Sequence, residues 1–151
     1  RAPRPRPAHS DVKRGGGDCW FCLNNPQLEE HLIINVATET YMALAKGPIN
    51  DDHVLIIPVE HATDPSSLPP SVSDEIQRQK KAYSKYCKST GKKAVFFERN
   101  VFTKFGAVHF HVQALPLPKT LFDTAPAFFK ERGSAVHLNL EDVDPSLTSL
   151  Q

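Results

Sequence analysis

The chain has 151 residues, of which 40% are hydrophobic, and a formal net charge of only +1. These values allow one domain with its own core and exclude an intrinsically disordered chain. The small net charge gives no overall sign of a nucleic-acid-binding protein, and no apolar run resembles a membrane span or a signal peptide. Since the first residue is Arg, we expect a segment of a longer protein, with further domains at one end or both.

The first 17 residues differ in composition from the rest of the chain. They are rich in Arg, Pro and Gly and carry too few apolar side chains for burial to offset the entropy lost on ordering. We predict a disordered linker over 1–17, whose basic residues either contact RNA or an acidic partner or are simply solvated. An ordered module is predicted over 18–118, and 119–151 is either the start of a second module or a tail.

Apolar runs bounded by turn residues predict the strands of the ordered module. Neighbouring strands joined by short turns favour an antiparallel sheet, and Pro58 should end or bulge the third strand because it cannot donate to the ladder. The five predicted strands cover residues 31–36, 41–45, 53–59, 94–98 and 108–115.

Residues 71–89 carry apolar side chains at helical spacing and predict a helix that covers one face of the sheet. Ser71 or Ser73 is the expected N-cap, and Gly91 is the expected stop. The predicted buried stripe consists of Val72, Ile76, Tyr83, Tyr86 and Cys87.

The end of the chain carries weaker signals. A short helix is expected from about Thr124 to Arg132, with Pro126 in its first turn and Gly133 as its stop. Residues 135–140 are compatible with a last strand. The whole pattern is α+β, with an antiparallel sheet of about five strands and one covering helix.

Three cysteines are present, and two of them form a C-x-x-C pair, Cys19 and Cys22. An odd number of cysteines argues against a secreted disulfide scaffold and favours a reducing compartment, the cytosol or the nucleus. The pair is a metal half-site, a redox pair or two buried thiols. Thioredoxin-like pairs follow a strand, whereas a Gly-rich segment precedes this one, so a metal is favoured.

Two histidines are the best candidates to complete such a metal site, His61 and His109. Two thiolates and two imidazoles suit tetrahedral Zn²⁺. The histidines come from distant strands, so their spacing alone does not show that they meet the cysteines. The competing histidine ligands are His53, His9 and His31.

The stretch "AVHFHVQALPLP" (107–118) places three polar residues, His109, His111 and Gln113, on one face of a strand. If His109 binds a metal, His111 is free to attack phosphorus and form a covalent phosphoramidate. Gln113 could then donate to a phosphate oxygen or to the leaving group. Alternatively, the row belongs to a structural zinc strand whose other polar groups only form hydrogen bonds.

Three further residues are candidates for the phosphate-binding part of the same pocket. His53 could line it from the third strand. The loop before the last strand could add Asn100 and Lys104, together with backbone amides.

The order of these segments resembles the histidine-triad (HIT) superfamily: a hairpin, "GPINDDHVLIIPVEH" (47–61), a helix, and then "HFHVQ". The family pattern is His-x-His-x-His, whereas the third position here is Gln113. The same His-x-His-x-Gln occurs in the galactose-phosphate uridylyltransferase branch, which forms a covalent nucleotidyl-histidine. This resemblance implies a nucleophilic His111 and four zinc ligands: Cys19, Cys22, His61 and His109.

A closer resemblance is to the first conserved C-terminal module of the CwfJ-type family. It rests on "GDCWFCLNNPQLEEHLIINVATETYMALAKGPINDDHVLIIPVEH" and "VFFERN". The family is associated with the spliceosome and with lariat-RNA debranching. The resemblance therefore implies a HIT-like fold, a nuclear role in RNA processing, RNA or nucleotide as ligand, and splicing or debranching proteins as partners.

Two functions follow from these resemblances. One is a nucleotidyl hydrolase or transferase, or a phosphodiesterase, acting through His111. The other is a non-catalytic module that binds RNA or a splicing partner, with phosphate contacts from the basic helix residues Lys80, Lys81 and Lys85. A solvated helix face is the ordinary explanation of these lysines.

Overall fold

The computed structural model describes residues 19–99, 102–103, 106–107 and 109–142. The predicted linker over 1–17 lies outside the described residues, as do Asn100 and Lys104. In the described part of the chain, neither helix is both long and apolar enough to cross a membrane.

The strands are β1 (Ile33–Val36), β2 (Thr40–Leu44), β3 (Val54–Pro58), β4 (Lys92–Glu98), β5 (Phe102–Thr103), β6 (Gly106–Ala107) and β7 (Val112–Pro118). Five of them form one antiparallel sheet in the order β1-β2-β3-β7-β4, which confirms the predicted α+β architecture. A separate two-stranded hairpin pairs β5 with β6. The central strand β3 is buried along its whole length, because helix α1 covers one face and the other face packs under the N-terminal segment.

Helix α1 (Pro70–Ser89) packs its apolar stripe on the first face of the sheet. Val72 and Ile76 contact the cluster around Ile56 and Val112, while Tyr83 contacts the cluster nearer the helix C-terminus. Burial of such side chains supplies the main free energy that holds a helix against a sheet. The second face carries Tyr41, Ala43, Leu55 and Ile57, which pack under Phe21 and Leu23.

Helix α1 differs from the prediction in its first residue and in two members of its buried set, but not in its stop. The helix begins at Pro70, before both predicted caps, because proline at the first helical position lacks only an N–H that has no partner there. Tyr86 is 44% exposed, whereas Glu75, which the pattern missed, is buried. Gly91 follows the helix with φ of 72° and donates its N–H to the Lys88 carbonyl, so the predicted stop is confirmed.

Helix α2 (Lys119–Ala135) is longer than the predicted short helix. Pro126 lies inside it rather than in its first turn, where the ring removes one backbone hydrogen bond. The helix lies against β4 and β7. The assignment of 119–151 to a second module or a tail stays a prediction.

The expected strand over 135–140 is wrong, because the chain turns back onto the end of α2 there. The N–H of Leu138 donates to the carbonyl of Gly133 at 2.8 Å. The Leu140 side chain lies 2.9 Å from where a Cβ at Gly133 would stand, so a larger residue at position 133 would require Leu140 to shift.

Candidate functional site

Four side chains that the sequence singled out as metal ligands meet at one point. The candidate ligand atoms of Cys19, Cys22, His61 and His109 all lie within 4.8 Å of one another. The two sulfurs come from a tight turn in which the N–H of Cys22 donates to the carbonyl of Cys19 at 3.2 Å. The side-chain amide of Asn25 donates to the same carbonyl at 2.9 Å and fixes the turn further.

The separations fit a tetrahedral metal ion. Nδ1 of His109 lies 3.5 Å from Sγ of Cys19 and 3.8 Å from Sγ of Cys22. Nδ1 of His61 lies 3.4 Å from Sγ of Cys22. Ordinary zinc–sulfur and zinc–nitrogen bond lengths at tetrahedral angles would place sulfur and nitrogen about 3.6 Å apart. The cluster can therefore hold a metal ion of this kind.

The chemistry of the donors agrees with that geometry. Nε2 of His109 is 3.1 Å from the carbonyl oxygen of Pro58, to which it donates, so Nδ1 keeps its lone pair for a metal. Burial lowers the pKa of His109 to about 4, which keeps the imidazole neutral, the form that binds metals. Burial beside Cys19 raises the pKa of Cys22 to about 12, so without a cation this thiol stays protonated.

The polar row is present, but its first two members precede the strand. β7 begins at Val112, because Pro58 cannot donate to the ladder and the N–H of Phe110 donates to the carbonyl of Ala62 instead. The alternation survives: Phe110 and Val112 face the core under α1. His109, His111 and Gln113 therefore project from the other face.

His111 is held in one orientation. Its Nδ1–H donates to the backbone carbonyl of His109 at 2.9 Å, which leaves the lone pair of Nε2 for another partner. The Phe21 ring packs on the imidazole with 4.8 Å between centroids. Burial is the largest cause that lowers the pKa of His111, and the bond to the His109 carbonyl acts in the opposite direction.

His53 carries a buried polar atom that is not hydrogen-bonded. The side chain is 4% exposed, and its Nδ1 accepts the N–H of Ile49 at 3.2 Å, so Nε2 carries the proton. Within the described residues, Nε2 has no hydrogen-bond partner. Burial lowers the pKa of His53. The nearby Gln113 side chain partly offsets that shift, although among the described residues it does not form a regular hydrogen bond with Nε2.

His53, His111 and Gln113 line one cavity of about 500 Å³. This volume is typical of small-molecule sites, as is a set of apolar walls with a few convergent polar groups. His53, His111 and Gln113 supply polar groups on the sheet side, and Gln27, Glu29 and Lys46 add further polar groups to the lining. Much of the apolar wall is formed by Phe21, Leu28, Leu32, Ile33, Leu55 and Ile57.

The loop that carries His53 is tied to the far side of the sheet through Asp52. The backbone carbonyl of Asp52 accepts the hydroxyl of Tyr83 at 2.7 Å. Its carboxylate accepts the hydroxyl of Tyr86 at 3.0 Å and pairs with Lys92 at 3.2 Å. These two partners hold the pKa of Asp52 below its usual value. The sequence pattern did not predict this anchor, although "NDDH" places an acid next to the pocket histidine.

Of the other candidate residues, three lie outside the described residues and one lies away from the metal cluster. Asn100, Lys104 and the competing ligand His9 lie outside the described residues, so their roles stay predictions. His31 is exposed in a single turn of 3-10 helix and does not join the metal cluster. Two aromatic residues between the cysteines, Trp20 and Phe21, line the cavity. Their position beside metal ligands in "CWFC" was the available signal.

Comparisons with known proteins agree with this architecture. The family model described as "Protein similar to CwfJ C-terminal" matches residues 6–130. CWF19-like protein 1 of Mus musculus is 40% identical over 117 residues, which cover 75% of this chain and 21% of that protein. Zinc finger CCCH domain-containing protein 59 of Oryza sativa subsp. japonica is 34% identical over 145 residues, covering 96% of this chain and 23% of that protein. The chain thus spans about a fifth of these relatives' length.

A solved structure shows the same fold. The crystal structure of a Zn-bound histidine triad family protein from Mycobacterium smegmatis superposes with a TM-score of 0.50 and 16% identity, over 58% of this chain and 66% of that chain. At this identity the likeness identifies the fold alone. Because the family model matches most of its length, the chain belongs to the family of proteins similar to the C-terminal part of CwfJ, with the fold of the histidine-triad proteins.

Proposed function

We propose that this module binds a nucleotide in the cavity and transfers or hydrolyses its nucleotidyl group through His111. One observation carries the proposal: an oriented His111 and the buried Nε2–H of His53, which has no hydrogen-bond partner among the described residues, line the same cavity beside a cluster suited to a metal. A buried polar atom without a partner costs free energy, and a bound anion would remove that cost.

The cavity has two chemically different parts that match the two parts of a nucleotide. The apolar walls suit a base and a sugar, which bind largely by burial of surface. Nε2–H of His53 and the side-chain amide of Gln113 are donors for phosphate oxygens. Asn100 and Lys104 are proposed to add phosphate contacts from the neighbouring loop.

The chemistry we propose has two steps. In the first, the lone pair of Nε2 of His111 attacks phosphorus, a P–N bond forms, and the bond to the leaving oxygen breaks with its electron pair. In the second, water attacks phosphorus, the P–N bond breaks, its electrons return to Nε2, and the water releases a proton. The His109 carbonyl stabilises the positive charge on the ring during attack, because it accepts the Nδ1–H. Gln113 would donate to the oxygen on which charge develops.

We propose Zn²⁺ for the cluster of Cys19, Cys22, His61 and His109, because two thiolates and two imidazoles are a common structural zinc set. With four protein ligands, a bound ion would neutralise thiolate charge and join distant parts of the chain. The alternative is a redox-active C-x-x-C pair. One tightly held zinc per chain, with thiols that resist alkylation until a chelator is added, is the result expected for the metal site.

The family resemblance suggests the setting. We propose a nuclear role in RNA processing, in pre-mRNA splicing or lariat-RNA turnover, with splicing or debranching proteins as partners. The nucleotide in the cavity would then belong to an RNA end or to a nucleotide conjugate.

A second function, non-catalytic binding of RNA, rests on a separate lysine-lined groove where α1, β4 and α2 meet. The groove contains Lys88, Lys92, Lys93 and Lys119. Two of these are already paired with acids, Lys92 with Asp52 and Lys119 with Asp123. Changing the other two groove lysines, Lys88 and Lys93, to Gln should weaken RNA binding and flatten its salt dependence if this groove binds the backbone. Unchanged RNA affinity would leave the lysines as a solvated face.

The direct test of catalysis is mass spectrometry of the intact protein after incubation with adenylyl and guanylyl conjugates and with short capped or branched RNAs. We expect an acid-labile nucleotidyl adduct on the wild type that is absent from His111→Ala. His31→Ala is the matched control, because that imidazole is exposed and does not line the cavity. Metal content is measured in all three proteins. No adduct and no product with any conjugate, in a protein that holds its zinc, would refute the catalytic proposal.

A further inference from the structure

We infer that the site takes a ligand with two bases, and that the second base stacks on Trp20 at the rim of the cavity. This inference rests on the proposed nucleotide pocket and extends it from one nucleotide to a base-phosphate-base unit. Such a unit occurs in single-stranded RNA or DNA and in dinucleoside polyphosphates.

Trp20 is an exposed indole on a rigid support. The side chain of Trp20 is 66% exposed. It is the only tryptophan in the sequence. It lies between the two cysteines of the metal turn, where the Cys19–Cys22 and Asn25 hydrogen bonds fix the backbone. An aromatic surface held in place in this way loses little conformational entropy when a base stacks on it.

Within the part of the chain that the structure describes, one cation covers the indole. Nζ of Lys46 lies 4.7 Å from the ring centroid, and Glu29 holds that ammonium group at 2.7 Å. We place the second base on the ring face opposite Lys46.

The indole is continuous with the proposed pocket. Trp20 and Lys46 line the same cavity as His53 and His111. The next residue, Phe21, packs directly on the His111 ring. A ligand with its phosphate near His111 therefore has one base among the apolar walls and can direct a second base to the rim. Base stacking tolerates any sequence, which suits a module that does not read bases at this position.

The test compares three RNA ligands that differ only at the second position: pA, pA followed by an abasic nucleotide, and pApA. Affinities are measured by calorimetry on the metal-loaded protein. We expect pApA to bind about tenfold more tightly than the abasic dinucleotide, since stacking on an aromatic side chain is typically worth a factor of this order. Binding of pApA, but not of pA, should also quench the single tryptophan fluorescence strongly.

Trp20→Ala should reduce the ratio of the pApA and abasic affinities to about one, and Trp20→Phe should retain part of it. The matched control is Phe128→Ala, an aromatic side chain of similar exposure on α2, which should leave the ratio at about ten. A diadenosine polyphosphate with non-hydrolysable methylene bridges shows which source of the second base fits: the Trp20-dependent gain appears with it, with pApA, or with both.

Equal affinities for pA, the abasic dinucleotide, pApA and the methylene-bridged diadenosine polyphosphate would overturn this inference and leave the one-nucleotide pocket intact. The same holds if a gain in affinity persists in Trp20→Ala. If no ligand binds, or if binding is unaffected by His53→Ala, the proposed pocket and the inference both fail.

Discussion

Glu75 offers the sharpest test of how the sheet and helix α1 are held together. One carboxylate oxygen, Oε1, accepts three hydrogen bonds from the turn between β1 and β2: the N–H of Glu39 at 2.9 Å, and the N–H and hydroxyl of Thr40 at 2.7 and 2.8 Å. Thr40 is fully buried and Glu75 nearly so. The carboxylate therefore replaces water for donors that have no other route to solvent.

The cost of removing it follows from these bonds. Hydrogen bonds to a charged group are worth about 1.5–3 kcal/mol, and a buried donor left unpaired costs a further 1–3 kcal/mol, though such terms do not add fully. We expect Glu75→Ala to lower the free energy of unfolding by about 4 kcal/mol and Glu75→Gln, which keeps one acceptor, by about half of that. Arg78→Ala is the control. That guanidinium is 3.6 Å from the carboxylate and 65% exposed, so its removal should cost under about 1 kcal/mol.

The pH dependence gives an independent check. Burial raises the pKa of Glu75, but the hydrogen bonds from Thr40 and Glu39 and the charge of Arg78 together outweigh it, so this pKa lies below the ordinary value of a glutamate. A depressed pKa contributes stability that is complete above the unfolded value and is lost as pH falls through the folded value. Urea unfolding between pH 7 and pH 3 should thus show a steeper acid loss for the wild type than for Glu75→Gln. Equal slopes, or a cost below 1 kcal/mol for Glu75→Ala, would refute this reasoning.

Three further outcomes are expected. Chelation should destabilise the wild type by about 4 kcal/mol if zinc is present at a thousand times its Kd, while Cys22→Ser should lack the zinc and show no further loss, as measured by thermal unfolding with metal analysis. Asp52→Asn, which weakens the anchor of the His53 loop, should lower nucleotide affinity severalfold without releasing zinc; full affinity by calorimetry would separate the loop from the pocket. Gly91→Ala should cost about 1 kcal/mol in urea unfolding because of the left-handed backbone alone, since no atom lies within 4 Å of the added Cβ; a cost near zero would contradict that strain.

Local signals predicted the sheet well and the ends of its elements less well. Period-two and continuous apolar runs located all five strands of the main sheet, because burial on one or both faces leaves that pattern in the sequence. The predicted start of β7 was too early, because Pro58 cannot donate to the ladder and the N–H of Phe110 donates to the carbonyl of Ala62 instead. These contacts join segments far apart in sequence, so local signals do not reveal them. The length of α2 was missed because Pro126 is tolerated inside it, which propensity alone disfavours.

The candidate site likewise has a part that the sequence predicted and a part that it did not. Residue chemistry selected the four metal candidates, and the fold brings their ligand atoms together. The Nε2–H of His53, which lacks a partner in the described part of the chain, and the anchoring role of Asp52 could not be predicted, because each depends on contacts between segments far apart in sequence. Glu75 was missed for a related reason: a charged residue on a buried stripe makes sense only once the donors of the facing turn are known.

The residue at position 113 leads to a final expectation about the reaction. A glutamine amide can donate a hydrogen bond, but it cannot give up a proton to a departing group at neutral pH. Gln113, opposite Leu55 in β3 and Phe97 in β4, would therefore stabilise a leaving group that departs as an anion. We expect adduct formation on His111 to be fast with phosphate leaving groups and slow with alkoxide or amine leaving groups. In rapid-mixing measurements of adduct formation, equal rates across such conjugates would require a proton donor other than Gln113.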